Sequence, residues 1–480
     1  MESIIEWALE VAKREGATYA DIRIEDYKRE NITVKDEMVE GITHSSSIGY
    51  GIRVIVDGCW GFSASNRLEK KEVERVAKQA CDIARASSLT KVENVLLDDT
   101  KPQKGKYKTP MEIDPFSVPI QEKVDYILSA TREMKKEKDV KIAQGFYTGF
   151  LTKKTFATLD GAYIEQEICH CGGGISATAI GKDDMQVRSY PNSFRGNFAT
   201  AGYEYFKGLE LDKNAPKIAS EVCALLKAKE CPEMKGTIII DGNQLALQVH
   251  ESCGHPIELD RVFGTEASFA GTSFLTTDKL DKLKYGSPIV NIVADATVKG
   301  GLGTFGYDDE GVPAQRTDVV KDGLFVGYLM SRETAPKIGR RSNGAMRADG
   351  WHSLPIIRMT NINLLPGDWE LDDLIADTDD GIFVSTNKSW SIDDKRVNFQ
   401  FGCEIAWKIE NGKLTEIYKN PVYYGITTNF WNSCDAICNR NHWKLWGTPN
   451  CGKGEPMQTM YVGHGTSPSR FRNISIGVKK

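Results

Sequence analysis

The sequence predicts an α+β protein: two small α/β units followed by a large β-rich domain built as an antiparallel sheet or barrel. Three observations carry this. Strong amphipathic helical periodicity recurs before residue 231. Alternating apolar segments with turn signals every few residues fill the remainder. Two breaks separate these regions, a Lys- and Pro-rich stretch over 98–118 and the pair Cys231-Pro232. The resulting domains are 1–100 (α/β), 101–231 (α/β) and 232–480 (β-rich).

The first helix spans 2–15, with Ile4, Ile5, Ala8, Leu9 and Ala12 at helical spacing and Gly16 at its end. YADIRIEDY, NITVKDEMVEGIT and GYGIRVIVDGCWGFSAS read as strands, with Asp57-Gly58 as a hairpin turn. EKKEVERVAKQACDIARAS is a second amphipathic helix. After the 98–118 linker a helix over 120–137, a meander of strands and a long helix within 207–230 form the central unit. Beyond residue 234 come six strand-like segments. Asp322-Gly323 and Asn411-Gly412 mark hairpins among them.

Composition narrows the function. Hydrophobic residues make up 40% and charged residues 26%, which supplies packed cores and excludes disorder. Lys+Arg is 61 and Asp+Glu 66, a net charge of -5 without a basic block. That balance argues against nucleic acid as a partner. No run of about 18 apolar residues is present, so no membrane span is expected. The start, MESIIEWALEVAKREG, lacks the features of a leader. The 11 cysteines are irregularly spaced and read as reduced thiols, so the expected compartment is the cytoplasm.

The chemistry concentrates after the buried strand Gly236–Ile240. Asp241-Gly242-Asn243 offers cap side chains, and Gln244–Cys253 has helical composition. From it come His250, Glu251 and His255. Neutral imidazoles bind a metal and a carboxylate takes a proton from water, the elements of a zinc hydrolase. HExxH spaces its histidines four apart. Here they are five apart, about 140° of rotation on a regular helix. Gly254 in a left-handed conformation, with Pro256 pushing His255 out of the α region, would end the helix at the site.

Catalytic zinc takes a third protein ligand. Candidates are Cys253, Cys403, Cys434, Cys438, Cys451, His442 and His464. Cys253 would strain the motif. Cys403 lies in an alternating strand and reads as core. Cys434, Cys438 and His442 fall four apart and read as packing before a second metal site. Cys451 lies in the Gly-rich segment Asn450–Gly454, where Lys453 would favour its thiolate.

Several spaced segments, in order, make the chain resemble the TldD/PmbA family of metallopeptidases over nearly its whole length. They are His250–His255 with Pro256 and Asp260, Tyr307–Pro313 (YDDEGVP), Arg358–Asn361 with Leu365-Pro366-Gly367, Ile409–Lys413 (IENGK) and Cys451-Gly452-Lys453. Departures are Cys253 inside the motif, a loose match over 339–347, and Trp390 where the family has a double glycine.

The resemblance implies a cytoplasmic zinc peptidase acting on unfolded peptides or leader peptides. Its Zn2+ ligands would be His250, His255 and Cys451, and Glu251 its general base. The family works as dimers, so a homodimer, or a heterodimer with a metal-free paralogue, is implied. Asp260 is expected to orient a ligand histidine or to be a solvated loop acid. Arg340, Arg341, Arg347 and Arg358 are expected to be mostly structural ion pairs. The competing reading is a metal-bound, non-catalytic scaffold or interaction protein.

Overall fold

The computed structural model describes residues 2–269 and 271–477. Its first layer is one continuous sheet. The strand Tyr19–Lys35 pairs antiparallel with Met38–Val56 on one side and with Val140–Thr158 on the other. Cys59–Ser65 adds to one edge, and Tyr163–Ile180 then Lys104–Lys108 to the other. The two amino-terminal units are therefore joined through their strands. Each brings its own helix pair and its own core.

Residue parity along Tyr19–Lys35 shows how one sheet serves two cores. Successive strand side chains alternate faces. Ile22 and Ile24 pack with the helices Glu2–Arg14 and Lys70–Ser88. Ile32 and Val34, further along the same face, pack with Ile120–Lys135 and Leu211–Lys227. The odd-numbered face is charged and meets the carboxy-terminal domain. Arg23 donates to the carbonyls of Gly350 and Ser353, and Arg53 bridges Asp21 and Glu310. Lys154 joins Asp309 at 2.6 Å.

Two sequence expectations change here. NITVKDEMVEGIT is a hairpin and not one strand, because Asp36 and Glu37 both adopt positive φ (48° and 67°). The 98–118 linker contains the strand Lys104–Lys108, parallel to Tyr163–Ile180. The expected turns at Asp57-Gly58, Asp322-Gly323 and Asn411-Gly412 all have positive φ at both residues, the type I′ pattern that matches strand twist.

The carboxy-terminal domain is built on a closed ring of five strands. Met234–Ile240, Ser469–Ile476, Val422–Ile426, Asn398–Glu410 and Asp380–Ile392 follow in order, and the last pairs back to the first. Closure leaves this ring without open edges. Its interior belongs to the largest core, which contains Ile238, Ile240, Leu245, Val384, Phe401, Tyr423 and Phe471. The hairpin of Lys444–Lys453 and Gln458–Thr466 lies beside it. The helix Gly242–Val249 runs out of the strand Met234–Ile240, capped by the Asp241 side chain.

Candidate metal centre

The helix that begins at Gly242 does not stop where the motif begins. It widens. Residues 250–254 form one π turn, with His255 N donating to the His250 carbonyl at 3.1 Å. An i→i+5 turn brings residues five apart onto one face. His255 remains in right-handed helical space (φ -66°, ψ -43°), and Gly254 is not left-handed. So the five-residue spacing is met by a widened last turn: the helix ends at Gly254 as expected, but with neither a left-handed Gly254 nor a His255 pushed out of the α region. Gly254 is needed for closeness: a Cβ there would lie 2.2 Å from Met359 Sδ.

Cys451 arrives from the strand Lys444–Lys453, a strand where a Gly-rich loop was expected. The register of its hairpin shifts between Thr448 and Cys451, a bulge of the kind that re-aims a side chain. Cys451 Sγ lies 3.5 Å from His250 Nε2 and 3.8 Å from His255 Nε2. All three side chains are buried, with their donor atoms within 4.8 Å of one another.

The hydrogen bonds around them set the tautomers. His464 Nδ1 donates to the Ile362 carbonyl at 3.3 Å, so its Nε2 accepts from His250 Nδ1 at 2.8 Å. His255 Nδ1 donates to Glu258 Oε2 at 3.1 Å. Each motif imidazole then turns the lone pair of its Nε2 toward Cys451 Sγ. Burial lowers the His250 and His255 imidazoles below the ordinary histidine range and keeps them neutral. Burial alone would raise the Cys451 thiol, but the Arg358 guanidinium opposes it and the thiol lies below its ordinary value. Two neutral imidazole nitrogens and a cysteine sulfur, which binds as a thiolate, form a donor set that fits a tetrahedral soft-to-borderline divalent ion.

Glu251 lines the same cavity of about 390 Å³ as the three donors. Its Oε2 accepts from Arg396 Nη1 at 2.5 Å. Arg396 sits in the turn 393–396 between two ring strands, at φ 66°, and its Nε is buried without a hydrogen-bond partner. Asp393 fixes that turn by accepting from the backbone of Val397 and Asn398.

The structure places the other expected residues as follows. Asp260 does not touch a ligand histidine; its carboxylate meets Lys453 Nζ at 2.8 Å. Glu258 stands at the position expected of Asp260, because on this turn the residue three beyond His255 shares its face. Lys453 is thereby directed to Asp260, and the cation acting on Cys451 is Arg358, which also donates to the Cys451 carbonyl at 2.5 Å. Cys253 points into the core beside Tyr285, and burial pushes its thiol up to about 12. Cys403 is core. Cys434 and Cys438 are buried at the short strand Cys434–Ile437 and not on a helix, while His442 pairs with Glu370. Arg340 and Arg341 pair with Asp281 and Asp99. Arg347 and Arg358 instead bind backbone carbonyls.

Sequence reasoning missed Glu258, Arg396 and the orienting role of His464. An i,i+3 check from His255 finds Glu258. No local signal leads from Glu251 to Arg396, 145 positions away.

Comparison with known proteins agrees with this geometry. Models of three PmbA/TldA metallopeptidase domains match the chain: domain 1 over 20–84, the central domain over 113–230 and the C-terminal domain over 233–477. A metalloprotease of Methanocaldococcus jannaschii is 33% identical over 88% of this chain and 90% of its own length. A metalloprotease TldD homolog of Buchnera aphidicola is 24% identical over 98% of this chain and 95% of its own. The crystal structure of TldE from Thermococcus kodakarensis shares the fold, with TM-score 0.77 at 15% identity, covering 99% of this chain and all of that one. Among the described residues no helix is long and apolar enough to cross a membrane. The chain belongs to the TldD/PmbA family of metallopeptidases.

Proposed function

We propose that this metallopeptidase is a zinc enzyme of the cytoplasm that hydrolyses unfolded peptides or leader peptides. His250, His255 and Cys451 would hold the ion, with Glu251 as general base. The observation that carries the reading is the convergence of two imidazole nitrogens and the Cys451 sulfur beside a buried carboxylate. A bound zinc ion would polarise the peptide carbonyl and acidify a water molecule.

The protein's own groups do the rest. Glu251 takes the proton of the attacking water and passes it to the leaving amine nitrogen. Arg396 holds Glu251 Oε2 and so fixes its direction. His464 and Glu258 keep both imidazoles in the ligating tautomer. A thiolate donates more charge to the ion than a third imidazole, so slow turnover is expected. The donors lie on the floor of a cavity, with Glu251 and His255 each 5% exposed. An extended chain reaches such a floor and a folded surface does not. An extended backbone can also pair with a strand edge, which reads little sequence.

The test is Glu251→Gln in metal-loaded protein, assayed on an unfolded substrate and on its folded form. Loss of hydrolysis with metal retained supports the enzyme. Unchanged behaviour would leave the inert scaffold. Equal cleavage of both forms would overturn the preference for unfolded chains. Metal analysis of purified protein, with Cys451→Ala alongside, tests zinc and its third ligand. Sedimentation of the purified chain, alone and with a metal-free paralogue, tests the homodimer against the heterodimer. TldE, a solved protein of the same fold, motivates the second arm.

A further inference from the structure

The metal cavity continues sideways. Phe194 and Asn450, the neighbour of Cys451, line both it and an adjoining pocket of about 340 Å³. The second pocket runs between the amino-terminal sheet and the hairpin that carries Cys451. Arg29 and Arg195 line it, and no lining residue is acidic. Arg29 Nε donates to the neutral Asn31 Oδ1 at 3.1 Å. Arg195 lies over the Phe146 ring at 5.5 Å.

The wall holds an unusual histidine. His170 is 8% exposed, and neither ring nitrogen has a hydrogen-bond partner. Its ring stacks on Phe150 (6.0 Å, 9°) and tilts against Tyr461 (4.8 Å, 31°). A buried polar group without a partner is costly unless a ligand supplies one. Burial, then Arg347 and Lys154, pull this imidazole down to about 3, so it is neutral at physiological pH. It offers one N–H and one lone pair. The loop opposite is strained: Phe194 and Arg195 both have positive φ (59° and 70°), which bulky residues avoid and ligand clamps tolerate. Phe194 packs edge-on against Trp390 at 5.3 Å across the cleft.

We infer that this side pocket binds a carboxylate of the peptide lying in the metal cleft, with Arg29 and Arg195 as its cations and His170 as a neutral hydrogen-bonding partner. The inference rests on the peptidase reading of the cleft. The carboxylate has two sources, an Asp or Glu side chain or the α-carboxylate of the peptide's own end. Paired guanidiniums suit the planar anion in either case.

The experiment measures binding to metal-loaded Glu251→Gln protein. Four probes share one short, unstructured sequence containing a single Glu: the free acid, its C-terminal amide, the Glu-to-Gln peptide, and the peptide with both changes. Loss of the bound carboxylate is expected to weaken binding about tenfold. A loss on amidation assigns the α-carboxylate, and a loss on Glu-to-Gln replacement assigns the side chain. Adding Arg195→Gln or Arg29→Gln should remove most of that difference. His170→Phe keeps the ring stack and should shrink the difference with little change in melting temperature. Equal affinity for all four probes, or no binding at all, overturns the inference. Hydrolysis by the wild-type protein is followed separately. Equal cleavage of all four probes keeps the peptidase and discards the carboxylate pocket. Carboxylate-dependent binding without cleavage does the reverse.

Discussion

His464 Nε2 lies 2.8 Å from His250 Nδ1, and the His464 ring is anchored in turn on the Ile362 carbonyl. This chain of two imidazoles leaves His250 one nitrogen for a metal. His464→Ala is expected to lower metal affinity about 10- to 100-fold, the range for loss of such an orienting partner. Competition with a chromogenic chelator measures it. Melting temperature of the metal-free protein separates this from simple misfolding.

Arg396 bears on catalysis without belonging to the donor set. Replacement by Met frees the Glu251 carboxylate from its partner. Metal content should stay at the wild-type level while kcat falls about 10- to 100-fold, a share of what a positioned base contributes. An equal fall in metal content would show that the residue supports the site and not the base.

Chelation is expected to abolish hydrolysis, and zinc to restore it. Because the donors come from the helix after Met234–Ile240 and from the distant hairpin, the ion should also clamp the folded chain. At free metal about a thousandfold above Kd the gain is about 4 kcal/mol. Thermal melts with and without chelator test this. Cys451→Ala should lose the difference.

Gly254→Ala places a methyl group against Met359 Sδ. Overpacking of this kind costs about 1–3 kcal/mol. Met359→Ala in the same chain makes room, so the double variant should lose less than the sum of the two single losses. Urea unfolding of the four proteins completes the cycle.

Arg188 joins the central unit to the carboxy-terminal domain through Glu404 at 2.8 Å, both side chains being buried. Arg188→Met leaves that carboxylate without its cation, an expected loss of about 3–5 kcal/mol. Burial raises the Glu404 carboxyl above its ordinary value, and Arg188 is the main influence opposing it. Free glutamate titrates near about 4.3. Above that pH the folded chain holds the proton more tightly than the unfolded one, so stability falls as pH rises toward the folded value. Without Arg188 that value climbs further. The variant should therefore lose more stability at about pH 8 than at about pH 5, as read from unfolding at the two pH values.

The sequence exposes structure where a local rule is strict. Asp57-Gly58 and Asn411-Gly412 announce hairpins because those residues tolerate positive φ. Asp36-Glu37 makes the same turn with a residue that seldom does, and its alternating flanks read as one strand. The His250–His255 spacing shows that the helix must depart from regularity. The structure meets it with a widened last turn that ends the helix at Gly254, where that glycine packs on Met359. The bulge that aims Cys451 and the turn that brings Arg396 to Glu251 both depend on pairing between distant strands. Neither leaves a trace in local composition.

The strand Tyr19–Lys35 holds both amino-terminal units at once, with the Asp21–Lys35 stretch laced to Gln144–Thr158. A chain cut near residue 100 would keep its helix pair and most of its apolar core, yet bare a long ribbon of unmet backbone amides and carbonyls. Such fragments should self-associate edge to edge, so the two units are expected to fold and unfold together.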